Sequence, residues 1–141
     1  MLAGLMATAF AGPAFAQQQL NTGLGSTWPT DTPDVSLAPG FHAYVWVKSG
    51  VKYVQINDAA GNVLVAVATA NGIFLPLPMG RSAKLLQTPQ DGTTATGGAA
   101  GVAIYQDGSV QITAMPQDDG AMVFKAEATC TNPVECTTHV N

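Results

Sequence analysis

Charge is what this chain has least of. Asp, Glu, Lys and Arg make up 10% of its 141 residues, against about 25% in a typical soluble domain. Cations are scarcest, with five Lys and Arg in total and a formal net charge of −4. Neutralising phosphates takes clustered Lys and Arg, so DNA and RNA are excluded as partners and anionic lipid is a poor fit. Nucleophilic chemistry lacks its parts as well. None of the serines Ser26, Ser36, Ser49, Ser82 and Ser109 lies in a G-x-S-x-G setting. Asp58, Asp107, Asp118 and Asp119 fall in turns, where Asp is wanted for backbone reasons. Asp118-Asp119-Gly120 has none of the further ligands of a calcium loop. The glycine-rich 97–101 stretch is followed by neither Lys-Ser/Thr nor a helix, so it is no phosphate loop. No catalytic constellation is visible, and the chain is not expected to be an enzyme.

Histidine and cysteine are equally sparse, two of each. His42, Cys136 and His139 invite comparison with copper sites made of two His, one Cys and a weak axial Met. Only Val140 and Asn141 follow His139, so that Met is missing, and Cys130 competes for Cys136. No metal and no cofactor are expected. Cys130 and Cys136 are instead read as a disulfide, which an even cysteine count favours in an exported chain. Asn132-Pro133 supplies the turn between them. So short a loop removes unfolded-state entropy worth on the order of 2 kcal/mol, pinning a tail rather than holding a fold.

Export is read from residues 1–16. An apolar run over 2–10 is followed by Gly12-Pro13 and an Ala14-Phe15-Ala16 cleavage pattern, and the run is too short to span a bilayer comfortably. No Lys or Arg precedes it, which is the one missing part of a signal peptide. The alanine-rich composition looks bacterial, and the expected location is the periplasm or the secreted fraction, with no stable membrane insertion after cleavage. Residues 17–40 show no sustained period and are rich in Gly, Pro, Ser, Thr and Asn, so they read as a flexible linker or arm. Trp28, Val35 and Leu37 are the residues able to tack it down. Residues 41–141 then form a single β domain, ending in the 130–136 disulfide loop.

Within that domain the hydrophobic pattern has the two-residue period of strands. Ser49-Gly50 and Asn71-Gly72 read as two-residue hairpin turns, and residues 58–62 as a type I turn closed by Gly61. These turns set Val45 against Val54, Ile56 against Leu64 and Ala68 against Leu75. One face then carries Ala43, Val45, Val54, Ile56, Leu64, Ala66, Ala68, Ile73, Leu75 and Leu77, and is expected to be core. Pro76 and Pro78 fall where amides point away from the partner strand, so the fourth strand should be a sheet edge. Farther on, 83–88 suggests a short strand, 91–101 a flexible loop, and Asp107-Gly108 a second hairpin pairing Tyr105 with Val110. Residues 121–128 alternate again. Seven to eight short strands predict an all-β antiparallel meander forming a small sandwich or open barrel.

The other face of the first meander presents His42, Tyr44, Trp46, Tyr53, Gln55 and Asn57, continuing into Val63, Val65, Val67 and Phe74. Aromatic rings beside amide and imidazole groups are what a ligand-binding platform needs for a protein, peptide or glycan. The alternative is that the second hairpin packs over this face and Trp46–Tyr53 is an ordinary cross-strand pair. The expected function is a small exported, non-catalytic binding domain. A structural or assembly subunit of the cell envelope, or an inhibitor of an extracellular hydrolase presenting the 130–136 loop, are the other readings.

Overall fold

The computed structural model describes residues 23–91 and 101–129. The expected export segment and the Cys130–Cys136 loop lie outside the described residues, as does most of the glycine-rich 91–101 stretch. Strand propensity and turn chemistry give β1 (Phe41–Lys48), β2 (Val51–Asp58), β3 (Val63–Ala70) and β4 (Ile73–Pro76), hydrogen-bonded in sequence order as one antiparallel sheet. The second sheet is made of β5 (Leu86–Gln87), β6 (Val102–Gln106), β7 (Val110–Pro116) and β8 (Met122–Ala128), in the order β5-β8-β7-β6. Only the two-residue β5 runs parallel to its neighbour. Two single 3-10 turns, Ala83–Leu85 and Pro89–Asp91, flank β5. The domain is thus all-β with two open four-stranded sheets and no closed barrel. Among the described residues no helix is long and apolar enough to cross a membrane.

Inward residues of both sheets form one core. Ala43, Val54, Ile56, Val65, Val67 and Phe74 come from the first, and Leu86, Ile104, Val110, Ile112, Ala114, Phe124 and Ala126 from the second. Phe124, Ile56, Ile104 and Ile112 are the largest side chains wholly removed from water; full burial of such a residue stabilises by roughly 1.5–3 kcal/mol.

The first hairpin has the expected register, with Val45 opposite Val54 and Trp46 opposite Tyr53. Ser49 and Gly50 have φ of 51° and 79°, and Asn71 and Gly72 have 52° and 76°. Both are therefore turns whose twist matches the flanking strands. The 58–62 turn also closes as read, with the Gly61 amide on the Asp58 carbonyl at 3.0 Å and the Asp58 amide on the Asn62 carbonyl at 2.9 Å.

One residue later the expected register fails. Asn57 faces Val63, but Ile56 faces Val65 rather than Leu64, because a β-bulge absorbs Leu64. Every later residue of β3 and β4 changes side as a result. Val65, Val67 and Phe74 turn into the core, while Ile73 and Leu75 stand 63% and 61% exposed. The expected core face is corrected accordingly: Ala66, Ala68, Ile73 and Leu75 belong to the outer side, and Val65, Val67 and Phe74 to the inner. The energetic reason is volume. A valine facing the core in place of an alanine adds roughly 1–2 kcal/mol of apolar burial. Gly80 secures the bulge. Its φ is +101°, and a Cβ there would lie 2.3 Å from the Leu64 carbonyl oxygen. The following amides, Arg81 and Ser82, donate to the Val63 and Leu64 carbonyls.

The edge reading of β4 holds: among the described residues it pairs only with β3. Its outward amide at Phe74 receives the side chain of Gln90 at 3.2 Å, and Pro76 has no amide to offer. The second hairpin is displaced by two residues from the expected pairing, since Tyr105 faces Ile112 rather than Val110. Asp107 causes this. Its carboxylate accepts the Ser109 and Val110 amides, both at 2.7 Å, and so draws the turn onto residues 108 and 109. The same carboxylate takes the Tyr105 hydroxyl at 2.5 Å and pairs with Lys52 from β2, linking the two sheets at one end of the core. Burial pushes the Asp107 carboxyl up, but Lys52, Tyr105 and the two amides outweigh it and hold it well below the usual range. Tyr105, buried beside that carboxylate, is pushed well above the usual phenol value.

Candidate functional site

Pairing puts His42, Tyr44 and Trp46 of β1 opposite Asn57, Gln55 and Tyr53 of β2, so all six expected site residues share the outer face of the first sheet. The rings follow one another along β1. His42 stacks on Tyr44 at 6.4 Å, and Tyr44 meets Trp46 at 6.4 Å with tilted planes. Four of the six are nevertheless buried, Tyr44 and Trp46 at 5% and Gln55 and Asn57 at 0% exposed. His42 and Tyr53 are half-buried.

What covers them is the chain just upstream. Gln55 Oε1 accepts the Gly25 amide at 2.6 Å, and its Nε2 donates to the Ser26 carbonyl at 2.9 Å and to Asn57 Oδ1 at 2.9 Å. Asn57 Nδ2 donates to the Thr27 carbonyl at 2.8 Å and the Gly61 carbonyl at 3.1 Å. Buried amides must find partners, and these two find them in the main chain of 25–27. Trp46 Nε1 donates to the Asp31 carboxylate at 3.3 Å. The cover is therefore residues 23–34, not the second hairpin.

The same segment then seals the β1 edge. Thr32 donates its hydroxyl to the Val45 carbonyl at 3.0 Å, Asp34 accepts the Ala43 amide at 2.9 Å, and the Val35 amide donates to the Ala43 carbonyl at 2.9 Å. Two residues on, the Leu37 amide donates to the Ile104 carbonyl of β6 at 2.7 Å, crossing to the second sheet. Val35 and Leu37 thus attach through the main chain, while their side chains stay exposed.

Three residues form the rim that remains open. Trp28 is 54% exposed, although one edge of its indole rests on Gly61, where a Cβ would lie 2.6 Å from the ring. It meets His42 edge-on at 5.2 Å. His42 Nδ1 donates to Asp34 Oδ2 at 2.6 Å, which fixes the ring plane and leaves Nε2 pointing elsewhere. Burial pushes the Asp34 carboxyl up, but the Ala43 amide, His42 and the Ser36 amide prevail and hold it below its ordinary value. Tyr44 is pushed up by burial and by the Asp34 charge. An oriented imidazole, a carboxylate and an exposed indole can stack on an apolar surface and hydrogen-bond a polar one, which suits non-covalent recognition.

Sequence reasoning put His42 on this face and named Trp28 as a residue able to tack the arm down, which it does against Gly61 and His42, but it gave Trp28 no part in a binding surface and did not single out Asp31 or Asp34. Asp34 reads locally as a turn residue, and it does accept the Ser36 amide at 3.0 Å. Its longer-range bonds leave no mark in the sequence. The described residues define a two-sheet all-β domain with a covered aromatic face. No known protein family, curated protein or solved structure matches the chain.

Proposed function

We propose that this is a small exported β domain without catalytic activity that binds a peptide or glycan through the Trp28–His42–Asp34 rim. The observation that carries the reading is Trp28: over half exposed, yet held from below by Gly61 and from the side by His42. A large aromatic ring already fixed in place loses little entropy when a ligand covers it. Export rests on the sequence of residues 1–16, and the periplasm or the extracellular space of a bacterium is the compartment it implies. There Cys130 and Cys136 would be oxidised to a disulfide.

The chain has two tryptophans, and only Trp28 is exposed. In a Trp46→Phe background, titration with soluble glycans and with peptide mixtures should shift Trp28 emission, and Trp28→Ala should abolish binding. Emission that stays unchanged across both ligand classes would remove the proposal.

A further inference from the structure

The rim of Trp28, His42 and Asp34 carries charge of one sign. Asp31 and Asp34 are the only ionisable side chains in residues 23–40, and both stand exposed. Cations elsewhere are matched: Lys52 pairs with Asp107, Arg81 with Asp58 and Lys125 with Glu127. Arg81 therefore brings its own counter-charge to the turn on which Trp28 rests. Lys48 lies six residues from His42 on β1, about 20 Å away. Among the described residues no Lys or Arg pairs with Asp31 or Asp34. Asp34 Oδ1 accepts the Ser36 and Ala43 amides at 3.0 and 2.9 Å, and Oδ2 accepts His42 Nδ1 at 2.6 Å. A carboxylate oxygen has two acceptor positions, so Oδ2 keeps one to offer.

We propose that the rim takes an arginine side chain of a partner peptide, its guanidinium stacked on Trp28 and its charge facing Asp34. The inference rests on the binding role given to the rim above and narrows the ligand to a basic peptide. Only the His42 ring, 5.2 Å from the indole and bonded to the carboxylate, separates the two groups. A cation within about 6 Å of an indole centroid is attracted by the ring face. Arginine is planar, stacks on aromatic rings and donates to carboxylates, so it satisfies both groups at once. A neutral sugar would use the indole and leave the unpaired charge unanswered. Asp31 lies beside Trp46, four residues farther along β1 than His42. The negative field thus runs on for about 14 Å and repels acidic partners.

Three probes test this on the full chain: a capped Gly-Ser-Arg-Ser-Gly peptide, the same peptide with citrulline for arginine, and a neutral oligosaccharide. Citrulline keeps the shape of arginine without its charge. The readout is the Trp28 indole N–H signal by NMR, assigned with Trp28→Phe. The arginine peptide should shift it and bind about fivefold more tightly than the citrulline peptide, the scale of an exposed cation–π contact with a nearby carboxylate. Added salt should shrink that preference. Asp34→Asn should bring the ratio of the two affinities close to one. A loosened arm would instead weaken both peptides alike, and an unchanged ratio would overturn the assignment of the charge to Asp34. Equal binding of both peptides, or binding of the oligosaccharide alone, would overturn the arginine inference while the rim stands as a binding surface. No shift of Trp28 with any of the three would remove the rim reading itself.

Discussion

The outer face of the first sheet has two halves, and they solve the problem of exposure differently. The half bearing Trp46, Gln55 and Asn57 is rich in groups that need partners, and residues 23–34 supply them. The half bearing Ala68, Ala70, Ile73 and Leu75 needs no hydrogen bonds, and among the described residues it stays open. Polarity thus decides how strictly a surface specifies its cover. Buried amides dictate which main-chain atoms lie above them, whereas an apolar groove accepts any side chain of suitable size.

The bulge at Leu64 is what creates this division, and breaking it should have the largest effect. Gly80→Ala places a Cβ against the Leu64 carbonyl at a φ that L-residues avoid. The expected loss is about 3 kcal/mol or more in urea unfolding, as for other strained backbone positions. A loss under about 1 kcal/mol would mean that the bulge does not depend on this close approach.

Next in size is removal of the amide that ties the polar half to its cover. Gln55→Leu keeps the volume but strands the Gly25 amide, the Ser26 carbonyl and the Asn57 side chain. The expected cost is about 2–3 kcal/mol. Trp46 emission should also shift to the red, and proteases should cut within 24–40. An equal stability loss with no new cleavage would place the damage in the sheet rather than in the attachment of the arm.

The link at the far end of the core is a useful contrast, because it joins sheet to sheet rather than sheet to arm. Asp107→Ala removes the acceptor shared by Lys52, Tyr105, Ser109 and Val110. It should cost about 2 kcal/mol while leaving Trp46 emission and protease cleavage within 24–40 unchanged. A red shift in Trp46 would show that the two ends of the domain are coupled.

Much of this architecture was legible because turns write themselves into sequence. Ser49-Gly50, Asn71-Gly72 and the 58–62 turn each formed as read, and Pro76 marked the edge strand. The bulge was not legible. Three separately assigned registers agreed on one face, but an inserted residue inside β3 leaves every turn intact while exchanging the faces beyond it. Valine and alanine alternate through β3, so either parity looks apolar. Their difference in size, which settled the matter, carries weight only once the opposing sheet is known. The candidate site was legible to the extent that its six residues share a face. That the face is covered was not, since Gly25, Ser26 and Thr27 act through backbone atoms that any sequence possesses.

The smallest effect expected concerns the charge at the open rim. Asp34 holds the Ala43 amide and His42, and those bonds keep its carboxyl below the value of 3.8 expected for the unfolded chain. A depressed carboxyl contributes stability that is fully present above the unfolded value and is lost as pH falls through the folded one. Attachment of the arm should therefore be constant from pH 7 to about pH 5 and weaken below about pH 4. Because Asp34 is more than a third exposed, solvent limits the effect to less than about 1 kcal/mol. Protease cleavage within 24–40, read against pH with an acid-tolerant enzyme, reports this site; the Asp107 carboxyl is also held low, but its partners are Lys52, Tyr105, Ser109 and Val110, none of them in the arm. Asp34→Asn should raise cleavage at pH 7 and flatten its rise towards acid. If the variant keeps the wild-type acid profile, the pH dependence originates in some carboxylate other than the one beside His42.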